Sequence, residues 1–324
     1  MLISIILLVV GFIILIKGAD WMVSGASSAA LNFKVSKTLI GLTIVAFGTS
    51  APEFAVSISS LISGSTDMLI GNVVGSNIMN ILLLLGLGAL VHPIIVKRVT
   101  IRKELILLLA LTAMFAILFL DTFITGAAEN SISRADAAIF LIFFGIFMYF
   151  ILHTTHKTRK ENKKAKNIEK PEFTLKKSLL LTVVGLTGIV LGSQLVVDNA
   201  SAIAAAIGVS DRIIALTIVA LGTSLPELVT TITAAKRGES ELIIGNIIGS
   251  NIFNICIVLA LPIVMFGTVT PSSFDIIDII TLICSTLILY FTTLKDRKIT
   301  RIEGVLMLAI FTAYYGYIIY GTFA

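Results

Sequence analysis

The chain has 324 residues, of which 57% are hydrophobic and 13% are charged, and its formal net charge is +5. Soluble globular proteins contain about 25% charged residues, so this composition excludes a soluble domain and indicates a protein surrounded mainly by lipid. The two cysteines, Cys256 and Cys284, both fall within apolar segments, which excludes a disulfide framework.

Apolar segments long enough to cross a hydrocarbon core, about 17–25 residues, recur along the whole chain. We expect them to be helices, because a backbone in lipid must satisfy its own hydrogen bonds. The first segment lacks the basic region that precedes the apolar part of a secretory signal, so it is interpreted as a span. The ten predicted spans are 2–29, 37–62, 68–91, 102–121, 134–152, 178–200, 210–235, 241–266, 274–294 and 301–321.

The basic residues are distributed unevenly between the two sides of this ten-span arrangement. Of 24 Lys and Arg residues, 21 fall on one alternate set of connections, whereas the other set holds Arg134 and Arg212, and Lys17 lies within the first span. The positive-inside rule then predicts a cytoplasmic linker at 154–177 and both termini outside. The basic charge therefore reflects topology and gives no support to a nucleic-acid partner.

Two segments of the chain are copies of each other. "GLTIVAFGTSAPEFAVSI" (41–58) aligns with "ALTIVALGTSLPELVTTI" (215–232), and 41–81 matches 215–255 without a gap at 21 of 41 positions. The implied domains are a first five-span repeat (1–153), the linker (154–177) and a second five-span repeat (178–324). Because five is odd, the second repeat enters the membrane from the opposite side, an architecture typical of secondary transporters with a site at the bilayer midplane.

The first repeated motif, GTSAPE and GTSLPE, places a proline and a glutamate inside a predicted span. Proline removes a backbone N–H and breaks the helix, which frees the carbonyls of Gly48 and Gly222. Thr49 and Glu53 are four residues apart and share one helix face, as do Thr223 and Glu227. A carboxylate at the centre of a span costs roughly 2.5–3.5 kcal/mol on insertion scales, so its presence in both copies indicates a function.

The second repeated motif supplies neutral oxygens. Ser76 and Asn80 are four residues apart, as are Ser250 and Asn254, and we expect these four to be ligands. The glycines of this motif, Gly71, Gly75, Gly245 and Gly249, predict close helix packing. Oxygen ligands suit hard cations such as Ca²⁺, whereas softer metals prefer thiolate or imidazole. With no Lys or Arg at the depth of the glutamates, we interpret Glu53 and Glu227 as binding a cation.

The paired motifs, "GTSAPE…GNVVGSNIMN" and "GTSLPE…GNIIGSNIFN", resemble the two α-repeats of the sodium/calcium exchanger family. The resemblance implies an all-α integral membrane protein of ten transmembrane helices in two inverted five-helix repeats. It also implies that Ca²⁺ contacts chiefly Glu53 and Glu227, while Na⁺ occupies flanking positions. Several relatives carry an aspartate where this chain has Asn254, which leaves the Na⁺:Ca²⁺ stoichiometry open. The ion ligands implied by resemblance are Ala46, Thr49, Ser50, Glu53, Ser76, Asn80, Ala220, Thr223, Ser224, Glu227, Ser250 and Asn254.

These features predict a secondary-active antiporter that exchanges Na⁺ for Ca²⁺ by alternating access in the plasma membrane. Its partners would be Ca²⁺, Na⁺ and membrane lipid, with no cofactor and no enzymatic activity, and a single chain would suffice. The alternatives are a Ca²⁺/H⁺ antiporter of the same superfamily, whose glutamates carry protons, and a cation channel. An intramembrane enzyme is disfavoured because the sequence offers no histidine cluster, cysteine nucleophile or aspartate pair for it.

Overall fold

The computed structural model describes residues 1–124, 126, 129–162, 170–207, 220–271 and 276–323, and most of them lie in helices. Two short antiparallel strands, β1 (Ile94–Ile95) and β2 (Lys298–Ile299), pair with each other. The helices are α1 (Leu2–Phe33), α2 (Lys37–Thr49), α3 (Ala51–Ile62), α4 (Thr66–Val91), α5 (Arg98–Arg102), α6 (Glu104–Phe119), α7 (Asp121–Ile124), α8 (Arg134–Asn162), α9 (Leu175–Ala206), α10 (Ala220–Thr223), α11 (Leu225–Lys236), α12 (Ser240–Phe266), α13 (Ile276–Asp296) and α14 (Arg301–Phe323).

The helices confirm a multi-pass membrane protein. Six of those described are long and apolar enough to cross a membrane, or seven if the bent pair α2 and α3 is one span. Helix α6 has only 16 residues, fewer than the roughly 20 that a perpendicular span needs. Part of the predicted span 210–235 lies outside the described residues. The count of ten spans therefore stays a prediction.

The chain divides into two compact units, which are described separately. Unit 1 comprises residues 1–52 and 155–246, and unit 2 comprises residues 53–154 and 247–324. Each unit therefore combines segments from both halves of the sequence. This mixing follows from the long-range packing of helices that are distant in sequence.

Unit 1 is built on the antiparallel pair α1 and α9, which packs along most of its length. A Cβ added to Gly18 would lie 2.8 Å from the backbone nitrogen of Ile189, and one added to Gly185 would lie 2.5 Å from that of Met22. Glycines are needed here because the two backbones approach too closely for a side chain. Similar close approaches occur at Gly11, Gly25 and Gly192. In contrast, many other side chains of α1 are large, apolar and exposed, as expected for a surface that faces lipid.

Ion pairs join α1 and α2 to the segment between α11 and α12. The Lys37 ammonium lies 2.8 Å from a carboxylate oxygen of Glu239, and the Arg237 guanidinium lies 3.1 Å from that of Asp20. The Arg237 guanidinium also donates to the Ser24 hydroxyl. Arg237 lies just beyond α11, so these contacts connect α1, α2 and the segment between α11 and α12. They leave the interior of the unit without a fixed cation among the described ion pairs.

Unit 2 contains a symmetrical pair of short backbone contacts. β1, which follows α4, pairs with β2, which precedes α14. In the same way Ile132, which precedes α8, forms an antiparallel bridge with Val269, which follows α12. The last part of α4 packs on α14, and α4 also contacts α13 and the later part of α12. Equivalent positions of the two sequence repeats thus make equivalent contacts, which supports the internal duplication.

The repeated motifs coincide with interruptions of regular α-helix. α2 ends at Thr49, and a single residue separates it from α3. In the same way α10 ends at Thr223, and a single residue separates it from α11. At these breaks Ser50 has φ −83° and ψ 9°, and Ser224 has φ −90° and ψ 5°. The predicted helix breaks are therefore confirmed in both repeats. π-helical turns also occur at Gly41–Val45, Asn80–Leu84 and Asn254–Leu259, a feature frequent at functional sites.

We predict that Gly185→Ala destabilises the protein, because the added methyl group would force α1 and α9 apart. Overpacking of this kind costs about 1–3 kcal/mol, and it should lower the temperature of thermal unfolding in detergent. The matched control is Gly145→Ala, since no described atom lies within 4 Å of a Cβ at Gly145. The control should be neutral or slightly stabilising because alanine favours helix more than glycine does. Equal unfolding temperatures for the two variants would contradict the close packing.

Candidate functional site

In unit 1, the first motif of one repeat contacts the first motif of the other. The Ser50 hydroxyl, at the break between α2 and α3, donates a 3.1 Å hydrogen bond to Glu227 Oε1 on α11. Ser50 is fully buried and Glu227 is 1% exposed. Two residues that lie far apart in sequence, both predicted as ligands, are thereby brought together.

The Glu227 carboxylate has only part of the polar environment that a buried anion needs. Its second oxygen, Oε2, has no hydrogen-bond partner in the described part of the chain. A buried carboxylate is costly unless it is paired with a cation or hydrogen-bonded. The two ion pairs described in unit 1 involve Glu239 and Asp20. An oxygen in this position is suited to bind a cation from solution.

Other predicted ligands of unit 1 surround the two helix breaks. Thr49 is fully buried, and its hydroxyl donates to Asn246 Oδ1 over 3.3 Å. Ser224 is buried at the second break and Thr223 is partly buried. The carbonyl of Ala46 accepts the N–H of Ser50 at 3.0 Å, so a cation there would use its second lone pair. Ala220 is the first described residue after a gap and begins α10.

The carbonyls freed by the prolines differ in their surroundings. The Gly222 carbonyl accepts a 3.0 Å hydrogen bond from the hydroxyl of Ser193 on α9. The helix break thus exposes this carbonyl as predicted, but a neighbouring helix already satisfies one of its lone pairs. Gly48 lies against the side chain of Leu186. The contact of Ser193 could not be predicted from the sequence, because it depends on tertiary packing.

In unit 2, Glu53 is 1% exposed and its backbone is held by Asn72. The Asn72 side-chain amide donates to the carbonyl of Glu53 over 3.0 Å and to the Ser57 hydroxyl over 3.1 Å. Because α4 carries Asn72 and α3 carries the other two residues, these bonds fix the first turn of α3 against α4. The position of the Glu53 backbone is therefore set by an asparagine that was not assigned as a ligand.

The four ligands predicted from the second motif all lie buried in unit 2. Ser76 is 6% exposed, Asn80 and Asn254 are 1% exposed, and Ser250 is fully buried. Asn80 Oδ1, Asn254 Oδ1 and Ser250 Oγ have no hydrogen-bond partner among the described residues. Buried polar atoms are nearly always satisfied in proteins. Three unsatisfied oxygens in one unit point to a ligand that the oxygens would bind.

The expected close packing at the motif glycines is seen in one repeat. A Cβ at Gly245 would lie within 3.1 Å of the Gly41 Cα, so α2 and α12 approach closely there. At Gly71 and Gly75 no described atom lies within 4 Å of such a Cβ. Close packing is therefore confirmed for Gly245 and not observed for Gly71 and Gly75 among the described residues.

The polar environment contains few candidates for transition-metal ligands. No group of three His, Cys, Asp or Glu residues in the described ranges could hold a metal ion. Cys256 and Cys284 are free thiols, and His92 is exposed at the end of α4. Hydroxyl, amide, carbonyl and carboxylate oxygens predominate at the motifs, which suits Na⁺ or Ca²⁺ better than a soft metal.

Further buried polar groups lie close in sequence to the predicted ligands. The Thr230 and Thr231 hydroxyls and the Asn246 side-chain nitrogen are buried and have no hydrogen-bond partner in the described ranges. Thr231 lies four residues after Glu227 and is therefore on the same face of α11. Its spacing from the glutamate was the signal that could have identified it.

Known proteins similar to this chain are ion exchangers and related membrane proteins. The model of the family described as "Sodium/calcium exchanger protein" matches residues 3–153 and 177–320. The antiporter candidate CaxA of Alkalimonas amylolytica is 39% identical over 97% of this chain and 98% of its own length. The sodium/calcium exchanger MaX1 of Methanosarcina acetivorans is 29% identical over 96% of this chain and 97% of its own length.

A solved structure has the same fold. The sodium-calcium exchanger NCX_Mj, soaked with Na⁺ and Ca²⁺, superposes with a TM-score of 0.82 at 34% sequence identity, covering 96% of this chain and 97% of that one. The helices and the buried oxygen-rich motifs define a multi-pass membrane protein of a transporter class. The chain belongs to the sodium/calcium exchanger family.

We predict that Glu227→Gln abolishes Ca²⁺ binding without lowering the stability of the folded protein. In ion-free buffer the variant should unfold at the same or a higher temperature than the unsubstituted protein, because it removes a buried charge. Added Ca²⁺ should raise the unfolding temperature of the unsubstituted protein through binding to the folded state and should leave the variant unchanged. Equal Ca²⁺-dependent stabilisation of both proteins would contradict a role for Glu227 in binding.

Proposed function

We propose that this protein is a secondary-active antiporter that exchanges Na⁺ for Ca²⁺ across a membrane by alternating access. In this proposal the two ions compete for oxygens grouped around Glu53 and Glu227. The observation that carries it is the buried Glu227 carboxylate, which has a serine donor at one oxygen and no hydrogen-bond partner at the other among the described residues. A site of this kind can release one cation only when another cation, or a proton, takes its place.

The proposed ligands are the twelve residues implied by the two motifs. Glu53 and Glu227 would supply the two negative charges that balance one Ca²⁺. The hydroxyls and amides would complete its shell and would hold Na⁺ in the alternative state. Support comes from the burial of both glutamates and of Thr49, Ser50, Ser76, Asn80, Ser224, Ser250 and Asn254, and from membership of the exchanger family. The remaining ten ligands are Ala46, Thr49, Ser50, Ser76, Asn80, Ala220, Thr223, Ser224, Ser250 and Asn254.

The proposed topology follows the sequence repeat. Two inverted five-helix repeats, 1–153 and 178–324, would be joined by a cytoplasmic linker at 154–177, with both termini outside the plasma membrane. The equivalent pairings of Ile94–Ile95 with Lys298–Ile299 and of Ile132 with Val269 support a duplicated architecture. One chain contains all the proposed ligands, so we propose a functional monomer.

Asn80 and Asn254 are neutral, so Glu53 and Glu227 would supply all the carboxylates of the proposed site. Two carboxylates balance one Ca²⁺ or two Na⁺, and any further Na⁺ would bind without an added protein charge. If three Na⁺ move for each Ca²⁺, one net charge crosses the membrane, worth about 2.3 kcal/mol per 100 mV. Exchange of two Na⁺ would be insensitive to the membrane potential.

We predict that purified protein in liposomes takes up external Ca²⁺ when Na⁺ is inside. Choline-loaded liposomes should show no uptake, and neither should liposomes that are loaded with acid but lack Na⁺. Uptake driven by the pH step alone would contradict Na⁺ coupling and favour a Ca²⁺/H⁺ antiporter. Uptake without any counter-ion gradient would instead indicate a channel.

The same liposomes test the proposed site. Glu53→Gln should abolish Na⁺-driven Ca²⁺ uptake while the purified variant remains folded and monodisperse, because it removes one of the two charges that balance Ca²⁺. Glu241→Gln is the matched control, since Glu241 lies in the first turn of α12, outside the proposed ligand set, and its variant should transport normally. Normal uptake by Glu53→Gln would contradict the assignment.

A further inference from the structure

Three asparagines in unit 2 form a chain of hydrogen bonds with a defined direction. Asn77 Nδ2 donates to the backbone carbonyl of Asn251 over 3.3 Å, and Asn254 Nδ2 donates to Asn77 Oδ1 over 3.1 Å. All three residues are 1% exposed. Asn77 lies on α4, whereas Asn251 and Asn254 lie on α12. The chain therefore joins the two copies of the second motif.

The backbone carbonyl sets the direction of this chain. A carbonyl oxygen accepts hydrogen bonds and cannot donate, whereas a side-chain amide has one accepting oxygen and one donating nitrogen. Asn77 must therefore turn its nitrogen toward the Asn251 carbonyl and its oxygen toward Asn254. As a consequence, Asn254 turns its nitrogen toward Asn77 and its oxygen away from it.

The oxygen that Asn254 presents in this way is buried and has no hydrogen-bond partner among the described residues. Leaving a buried acceptor unsatisfied is destabilising, so an arrangement that maintains one points to a ligand. The end of the Asn254 amide that faces away from Asn77 determines the class of ligand, because an oxygen attracts a cation and an NH₂ group does not. With the opposite orientation the same residue would be a poor cation ligand.

We infer that Asn77 is a positioning residue, which holds the Asn254 amide with its oxygen toward a bound hard cation. In this inference Asn77 is not assigned as a ligand and acts through its bonds to the Asn251 carbonyl and the Asn254 amide. The inference rests on the proposed function, which supplies Na⁺ and Ca²⁺ as the cations. It adds a residue whose effect on binding passes entirely through another side chain.

The counterpart of Asn77 in the second repeat does not share this role. Both polar atoms of the Asn251 side chain lack a hydrogen-bond partner in the described part of unit 2, and only its backbone carbonyl takes part in the chain. Asn251→Ala therefore removes a buried amide of the same type without removing a bond of the chain. It is the matched control for Asn77→Ala.

The test measures the effect of N77A in the unsubstituted protein and in the N254D variant. Only in the first must the side chain at position 254 be held in one orientation to present an oxygen. Both ends of an aspartate carboxylate are oxygens, so Asn254→Asp presents an oxygen however the side chain rotates. We would measure the Kd of Na⁺ alone and of Ca²⁺ alone by calorimetry for the unsubstituted protein, N77A, N254D and the double variant. N77A should raise the Kd of at least one of the ions by roughly three- to tenfold. In the N254D background the same substitution should change that Kd less than twofold.

A merely structural role for Asn77 would give a different pattern. It would raise the Kd by the same factor in both backgrounds, and this result, or an unchanged Kd in N77A, would overturn the inference. An effect of N251A that is likewise suppressed in the N254D background would also overturn it, because it would show that loss of any neighbouring buried amide, and not of the Asn77 bonds, acts through Asn254. If N77A does not fold, the same comparison is made with N77S, whose shorter side chain cannot hold both bonds at these distances.

Binding is measured without transport, so failure of this inference is distinguishable from failure of the proposed function. Selective weakening by N77A in a protein that shows no Na⁺-driven Ca²⁺ uptake would support the positioning role and overturn the antiporter. Normal Na⁺-driven Ca²⁺ uptake, together with equal effects of N77A in both backgrounds, would support the antiporter and overturn the positioning role. Absence of ion binding in the unsubstituted protein would overturn both.

Discussion

The burial of two carboxylates in a membrane protein constrains everything else in this fold. Glu53 and Glu227 are each 1% exposed, and in a membrane a charge at such a position is costly unless it is compensated. A lysine or arginine beside them would satisfy that charge permanently and would occupy the place of the cargo. In the proposed site, serine, threonine and asparagine side chains would compensate that charge in part and would leave room for an exchangeable cation.

The irregular backbone at the motifs also accommodates buried polar groups. Breaks at Ser50 and Ser224 and π-helical turns that begin at Asn80 and Asn254 bring polar groups into segments that would otherwise be apolar helix. Irregular backbone at membrane depth is tolerated where it is buried in protein or lines a cavity. The described ion pairs, Lys37 with Glu239 and Arg237 with Asp20, join α1 and α2 to the segment between α11 and α12.

Much of this arrangement could be predicted from the sequence, because the repeated motifs and the length of the apolar segments have direct physical meaning. The helix breaks at Pro52 and Pro226 and the burial of both glutamates followed from local rules. The particular hydrogen-bond partners of Asn72, Asn77 and Ser193 could not be predicted, since each depends on which helix packs against it. The division into two units also mixes both sequence halves, and α6, with 16 residues, is shorter than its apolar segment suggested.

The most direct test of the central claim is equilibrium competition between the two ions on purified protein. Radioactive Ca²⁺ binding would be measured as Na⁺ is increased at constant ionic strength with choline. If both ions use the oxygens around Glu53 and Glu227, one Ca²⁺ binds per chain and Na⁺ displaces it completely, with a Hill slope above one because more than one Na⁺ replaces each Ca²⁺. Ca²⁺ binding that is unaffected by Na⁺ would show separate sites and would contradict exchange at a shared carboxylate site.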